Sequence, residues 1–322
     1  MTALRSLRIA VIGAGHMGRL HASKLAALRD AGPSVTLAGV ADLDVARAEA
    51  VAREFGAPAV TDFRELLARA DAAIVAVPTV AHFEVVRELL AAGLDVLIEK
   101  PIAATLGEAE ALLAQAQRGG RVVQVGHLEW FNAALRAIAP LIRRPRFVEA
   151  HRMGPYPGRA TDVDIVRDLM IHDIDIVQRL VGEEPESVEG IGVPVLSTQV
   201  DIANARLRFP SGCVANFTAS RVSPTPMRKI RFFQADGYFS IDFLDKSAVI
   251  LRRRIEADGT PKIDVEPIRF DPDDDALAAQ LADFLEAVRE RRVLDEGAAA
   301  ALRALRTALR VVEAMPALDE LQ

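Results

Sequence analysis

The 322-residue chain is long enough for about two domains of ordinary size, and its composition, 51% hydrophobic and 26% charged, excludes long disordered tracts. Its net charge of −6 gives no global field for nucleic acid or an anionic membrane, so any anionic ligand has to be held by local arginines. Cys213 is the single cysteine, which excludes an intrachain disulfide and a cysteine metal cluster and suits a reducing cytoplasm.

No uncharged run exceeds the length of Ala72 to Phe83, which falls short of the ~18 residues that span a bilayer, so no membrane partner is expected. Arg5 and Arg8 precede an apolar stretch of only Ile9 to Ile12, which reads as a strand and not as a signal peptide. From there to about residue 124, short apolar runs alternate with helical segments, the pattern of a parallel sheet built from βαβ units. The spacing predicts strands at Leu7–Ile12, Val35–Ala41, Ala59–Val60, Ala73–Val77, Val96–Ile98 and Arg121–Val125. Thr61 with Glu65, and Thr105 with Glu108, mark helix starts; the second pair has the spacing of a capping box.

Beyond residue 125 a helix is expected near Asn132–Ala139, a strand at Arg146–Ala150 and a long helix near Asp162–Val181. Strands follow at Ser187–Val193, Asp201–Phe209, Cys213–Ser220, Lys229–Gln234, Tyr238–Phe243, Ala248–Arg252 and Ile263–Ile268. Asp201–Phe209 puts Ile202, Asn204, Arg206 and Arg208 on one face and Ala203, Ala205, Leu207 and Phe209 on the other, as in an antiparallel sheet with one buried face. Helices Ala276–Glu290 and Ala298–Ala314 close the chain, and the acidic run Asp271 to Asp275 reads as a solvated helix entry. The expectation is a doubly wound α/β domain over residues 1–124 and an α+β domain with an open, mainly antiparallel sheet over 125–322.

Gly13-Ala-Gly15-His16-Met17-Gly18 lies between a predicted strand and a predicted helix, and Asp42 ends the next strand. That context points to a dinucleotide: glycines let the turn approach a pyrophosphate, the helix N-terminus offers N–H groups, and Asp42 accepts from a ribose hydroxyl. A glycine turn kept only for helix packing is the alternative. Asp42 is followed by Leu43 and Asp44, so a 2′-phosphate meets negative charge and NAD is preferred over NADP. Ligands of such sheets lie beyond the carboxyl ends of strands, which adds Pro78, Thr79 and His82 after one strand and Glu99 and Lys100 after the next.

Within the helix near Asp162–Val181, helical steps align Asp164, Asp168, His172, Asp175 and Arg179 along one stripe, while most other positions are apolar. A buried helix with such a stripe faces a polar partner or a cleft. Alternatives are a satisfied buried network and a metal site at Asp168, His172 and Asp175, for which no further histidine cluster supplies ligands. Oxidation of an alcohol requires removal of its proton, and His172 oriented by Asp168 suits that task, with Lys100 donating to the developing alkoxide.

Taken together, Gly13-x-Gly15-x-x-Gly18, Glu99-Lys100-Pro101, Gly126-His127 with Phe131-Asn132, and Asp168-x-x-x-His172-Asp173 resemble the Gfo/Idh/MocA oxidoreductases. The resemblance implies an NAD-binding Rossmann domain followed by a sheet domain that often mediates oligomers, here a homodimer or homotetramer. It also implies that Lys100, Asp168 and His172 sit at the nicotinamide and the reacting sugar carbon. More narrowly, His151 to Tyr156, Asp162 to Ile165, Asp168 to Asp175, Val200 to Arg206 and Ala219 to Val222 resemble the branch whose members oxidise C3 of UDP-N-acetylglucosamine to a ketone. In that branch a partner aminotransferase then forms the amine used for lipid A.

Relatives commonly have Arg-Phe-Asn-Pro where this chain has Trp130-Phe131-Asn132-Ala133, so Trp130 either stacks on a ring of the substrate or packs at a helix start. Arg143, Arg144, Arg146, Arg152, Arg159 and Arg167 cluster in sequence, and arginine suits a diphosphate. Arg152, Arg159 and Arg221 are the chosen phosphate contacts, with Asn132 and Tyr156 added to the substrate set. Within the family, the alternative is an NAD(P)-dependent dehydrogenase of a free sugar, inositol or another nucleotide sugar; outside the enzymes it is a non-enzymatic NAD- or sugar-sensing regulator, against which the presence of Lys100, Asp168 and His172 argues.

Overall fold

Strand β1 (Leu7–Ile12) is apolar throughout its second half because helices cover both sides of the sheet it enters. In the computed structural model, which describes residues 6–32, 35–156, 163–268, 270–271, 274–293 and 296–316, it is followed by α1 (His16–Ala31), β2 (Val35–Ala41), α2 (Val45–Phe55), β3 (Ala59–Val60), β4 (Ala72–Val75), α3 (His82–Ala91), β5 (Asp95–Ile98), α4 (Leu106–Gly119) and β6 (Val123–Val125). The six strands pair in parallel in the order β3-β2-β1-β4-β5-β6, so the sheet reverses direction of growth between β1 and β4. The expected capping box opens α4: Thr105 Oγ1 accepts from the Glu108 N–H at 3.2 Å and Glu108 accepts from the Thr105 N–H at 3.1 Å. The other expected cap moves by one residue, because Asp62 and not Thr61 accepts from the Arg64 N–H at the start of a short 3-10 turn, Phe63–Leu66.

The second sheet begins after α5 (Ala133–Ile138), with β7 (Phe147–Met153); a π turn (Val166–Met170) and α6 (Ile171–Val181) come next. Seven strands follow: β8 (Ser187–Val193), β9 (Ile202–Arg208), β10 (Val214–Ser220), β11 (Met227–Gln234), β12 (Gly237–Asp242), β13 (Ser247–Ile255) and β14 (Pro261–Pro267). Their order is β14-β13-β12-β11-β7-β10-β9-β8, and only β7 and β10 run parallel. Alternation sets the buried face. Ala203, Ala205 and Leu207 of β9 are buried, as are Val148, Ala150 and Arg152 of β7. Cys213, at the foot of β10, is fully buried, and that burial pushes its thiol up to about 11, so it packs as a small apolar residue.

The contacts divide the chain into two compact units, 1–128 with 277–302 and 129–276 with 303–322. This differs from the contiguous division expected at 124/125, and the reason is α7 (Ala276–Glu290). Its Leu281, Phe284, Leu285 and Val288 join Leu25, Leu97 and Val122 in the core of the first unit, each such side chain contributing roughly 1.5–3 kcal/mol on burial. The boundary then falls inside α8 (Glu296–Glu313), whose Ala304, Ala308 and Val311 pack in the core of the second unit. Among the described residues, no helix is long and apolar enough to cross a membrane.

Candidate active site

In the first unit, every motif singled out in the sequence lies at the carboxyl end of a strand. Gly13 follows β1 with φ +96°, and a Cβ there would meet the Ala76 carbonyl oxygen at 2.5 Å. A Cβ on Gly18 would fall 1.7 Å from the Gly13 oxygen, so helix and turn touch only because residue 18 is glycine. Gly15 is different: its Cβ would meet nothing within 4 Å. It caps α1 beside exposed His16 and half-buried Met17, where the first N–H groups of a helix lack intrahelical acceptors. These features fit a dinucleotide, whose pyrophosphate needs both the open approach and the donors.

Asp42, after β2, accepts from the Ala14 N–H at 2.7 Å and from the Asp44 N–H at 2.9 Å, which ties the glycine turn to the start of α2. Asp44 caps that helix through the Arg47 N–H, and the Arg47 guanidinium returns to within 3.3 Å of Asp44 and 3.8 Å of Asp42. Arg47 is a neighbour the sequence reading missed; its place three residues past a capping aspartate is the signal that points to it.

After β4, Pro78 is exposed and Thr79 half-buried, whereas His82 is only 1% exposed. Its Nδ1 lies 2.9 Å from the Pro101 carbonyl oxygen and its Nε2 2.9 Å from that of Val77. Burial lowers its pKa against the pull of those carbonyls and of Glu99. His82, expected at the coenzyme, therefore joins two loops of the chain. Glu99 turns inward as well, with Oε1 2.8 Å from Nε2 of fully buried His21. Lys100 is half-buried between Glu99 and the cis-linked Pro101.

In the second unit, Asp164 accepts from the Val166 and Arg167 N–H groups, both at 3.0 Å, and starts the π turn that carries Asp168. π turns are rare and concentrate at functional sites. The extra residue per turn shifts the expected straight stripe, since Asp168 precedes α6 and His172 lies within it. From residue 170 to 178, His172 is the one position that is not buried. Asp173 beside it is buried and binds Arg152 through two contacts, 2.8 and 3.2 Å, while Arg152 also donates to Glu129 at 2.7 Å. Burial raises the Asp173 pKa against the pull of Arg152. It also penalises the guanidinium, yet Asp173 and Glu129 hold Arg152 charged well above its ordinary value.

Arg221 is likewise enclosed, donating to Asp201 at 2.7 Å, the Val163 carbonyl at 3.0 Å and the Ser197 hydroxyl at 3.3 Å. Arg152 and Arg221 were expected to meet phosphate; they spend their donors on carboxylates of this chain, because a cation buried to that degree needs an anion beside it. Arg159 lies outside the described residues. Tyr156 is exposed, and Asn132 caps α5 by accepting from the Ala134 and Leu135 N–H groups at 3.0 and 3.3 Å. Trp130 has the Arg179 guanidinium 4.8 Å from its ring centre, and Arg179 in turn pairs with Asp175 at 3.0 Å. Its packing is thus inside the unit, at the approach to α5. Among the described residues, no group of three or more His, Cys, Asp or Glu is placed to hold a metal ion.

The model of an oxidoreductase family with an NAD-binding Rossmann fold matches residues 7–127, and that of the GFO/IDH/MocA C-terminal domain matches 142–240. The chain belongs to the Gfo/Idh/MocA family. Its first domain is accordingly the NAD-binding one. Among relatives, the UDP-N-acetylglucosamine 3-dehydrogenase of Acidithiobacillus ferrooxidans is 38% identical over 97% of this chain and 98% of its own length. A solved structure of that protein superimposes with a TM-score of 0.89 at 37% identity, covering 98% of this chain and 99% of the other. A myo-inositol dehydrogenase from Corynebacterium glutamicum superimposes with a TM-score of 0.78 at 26% identity, covering 97% of both chains. Like these Gfo/Idh/MocA relatives, the chain is an oxidoreductase of the dehydrogenase type.

Proposed function

We propose that the protein oxidises the 3-hydroxyl of UDP-N-acetylglucosamine with NAD, yielding the 3-keto nucleotide sugar. The likeness to the Acidithiobacillus ferrooxidans enzyme over nearly the whole of both chains carries this reading. Bound NAD supplies the acceptor for the hydride leaving C3. The chain's own groups do the rest: Gly13, Gly15 and Gly18 with the first turn of α1 hold the pyrophosphate, Asp42 accepts from the adenosine ribose, and Pro78 and Thr79 border the coenzyme. His172 removes the hydroxyl proton, Asp168 stabilises the imidazolium that results, and Lys100 donates to the oxygen as its charge develops. Tyr156 and Arg159 are the remaining candidates for the UDP group. The product ketone is a substrate for an aminotransferase.

A panel assay tests the substrate. NADH absorbance is expected to grow with UDP-N-acetylglucosamine and not with free N-acetylglucosamine or myo-inositol; the reverse pattern moves the protein to the inositol branch. Asp42→Ala is expected to remove ~1.5–3 kcal/mol of NAD binding, a roughly 10- to 100-fold rise in Kd by fluorescence titration, and to narrow the preference over NADP because Arg47 remains. The uncovered face of the second sheet, with Val249, Ile263 and Val265 exposed, is our candidate for the surface of a homodimer or homotetramer.

A further inference from the structure

The loop that carries Lys100 is secured from two sides by buried imidazoles, neither of which has a place in the proton transfer just described. On the amino side, the Glu99 carboxylate meets His21 Nε2 at 2.8 Å. A Cβ on Gly126 would lie 2.9 Å from its Oε2, so that carboxylate fills the space a larger residue would take. The backbone adds the Glu99 N–H to the Val75 carbonyl at 2.9 Å and the Gly126 N–H to the Ile98 carbonyl at 2.7 Å. On the carboxyl side, His82 spans the Pro101 and Val77 carbonyls, and Pro101, Ile102 and Ala103 are all buried. His21 and His82 come from different helices, α1 and α3, and both are essentially without solvent exposure.

We infer that His21 and His82 are positioning residues for Lys100: they immobilise the residues on either side of it, so that a flexible four-carbon stem starts from a fixed point. This rests on the role of Lys100 proposed above. A lysine ammonium has no planar fork to orient it, so its aim depends on the backbone that bears it. A displacement of about 1 Å at a reacting centre costs on the order of 10²-fold in rate.

The two nitrogens of His82 allow the contact that matters to be isolated. Asparagine places an amide near the Nδ1 position, facing Pro101, whereas glutamine reaches toward the Nε2 position, facing Val77. In the full-length protein, turnover of UDP-N-acetylglucosamine is expected to fall by roughly 10- to 100-fold in His82→Leu, to recover in His82→Asn and not to recover in His82→Gln, with Kd for NAD unchanged in all three. His21→Leu is expected to behave as His82→Leu does, and His21→Gln to recover.

Hydrogen exchange of the coenzyme-free protein provides a readout apart from turnover. Amides of residues 97–105 should exchange faster in His82→Leu and return toward wild type in His82→Asn. In a Lys100→Met background the His82→Leu change should produce no further loss of turnover. A full additional loss in that background, a rise in Kd that tracks the fall in turnover, or equal behaviour of the asparagine and glutamine variants overturns the positioning role while leaving Lys100 in place. Wild-type turnover in Lys100→Met alone removes both the reading of Lys100 and the inference built on it. If His82→Leu does not fold, the comparison of the soluble asparagine and glutamine variants, by turnover and by exchange, decides the matter.

Discussion

His172→Ala is expected to lower turnover of the nucleotide sugar by ~10²- to 10⁴-fold, the range set by loss of a general base, while Kd for NAD stays at the wild-type value. The expectation follows from where the residue sits. α6 is otherwise buried from residue 171 to 178, so the partial exposure of His172 is not a by-product of a solvent-facing helix. Its neighbour Asp173 is pinned to Arg152 at 2.8 Å, which fixes the start of α6 and with it the point from which the imidazole projects. Stopped-flow measurement of NADH formation checks the rate and fluorescence titration with NAD the affinity, and wild-type turnover in His172→Ala would remove the residue from the mechanism.

The second large effect concerns stability. Asp201→Ala is expected to cost ~3–5 kcal/mol, the loss typical of breaking one side of a buried ion pair, read as a shift of the urea midpoint. The Asp201 carboxylate is buried and receives five hydrogen-bond donations: the N–H groups of Val195, Leu196 and Ser197 at 2.8, 2.6 and 2.8 Å, the Ser197 hydroxyl at 2.7 Å and Arg221 at 2.7 Å. Burial acts to raise its pKa; the Arg221, Leu196, Ser197 and Val195 hydrogen bonds outweigh that and hold it well below the usual carboxylate range. The sign follows directly. The stabilisation is fully present above the unfolded-state value of about 3.9 and is lost as pH falls through the depressed folded-state value. Asp201→Ala should therefore be far less stable than wild type at neutral pH and converge with it in strong acid. Because Arg221 also binds the Val163 carbonyl, just before the π turn with Asp168, the variant should lose activity along with stability.

Where one physical rule governs a segment, the sequence alone specifies it. Period-two alternation places Ala203, Ala205 and Leu207 on the buried side of β9, and the strand Ser187–Val193 and the helix Ala276–Glu290 occur at the predicted residues. The glycine turn is legible for a similar reason, since each of its tight approaches admits no Cβ. Partner choice is another matter. Nothing local distinguishes Arg152, bound to Asp173, or Arg221, bound to Asp201, from an arginine waiting for phosphate, because the carboxylates come from elements brought close only by folding. The π turn is equally silent: it adds one residue to a turn without altering the apolar composition from which a plain helix is read. His21 and His82 show the same limit, for a histidine on a buried helix face reveals its acceptors only when the loops around it are in place.

The discontinuous first unit has a consequence for biosynthesis. As the polypeptide emerges from the ribosome, all six parallel strands appear before residue 128, yet the hydrophobic surface around Leu25, Leu97 and Val122 stays without its cover until α7 is made, after every strand of the second sheet. The first unit, begun before the second, is therefore completed only after the strands of the second sheet have been made, and the nascent chain has to carry that open surface in the meantime.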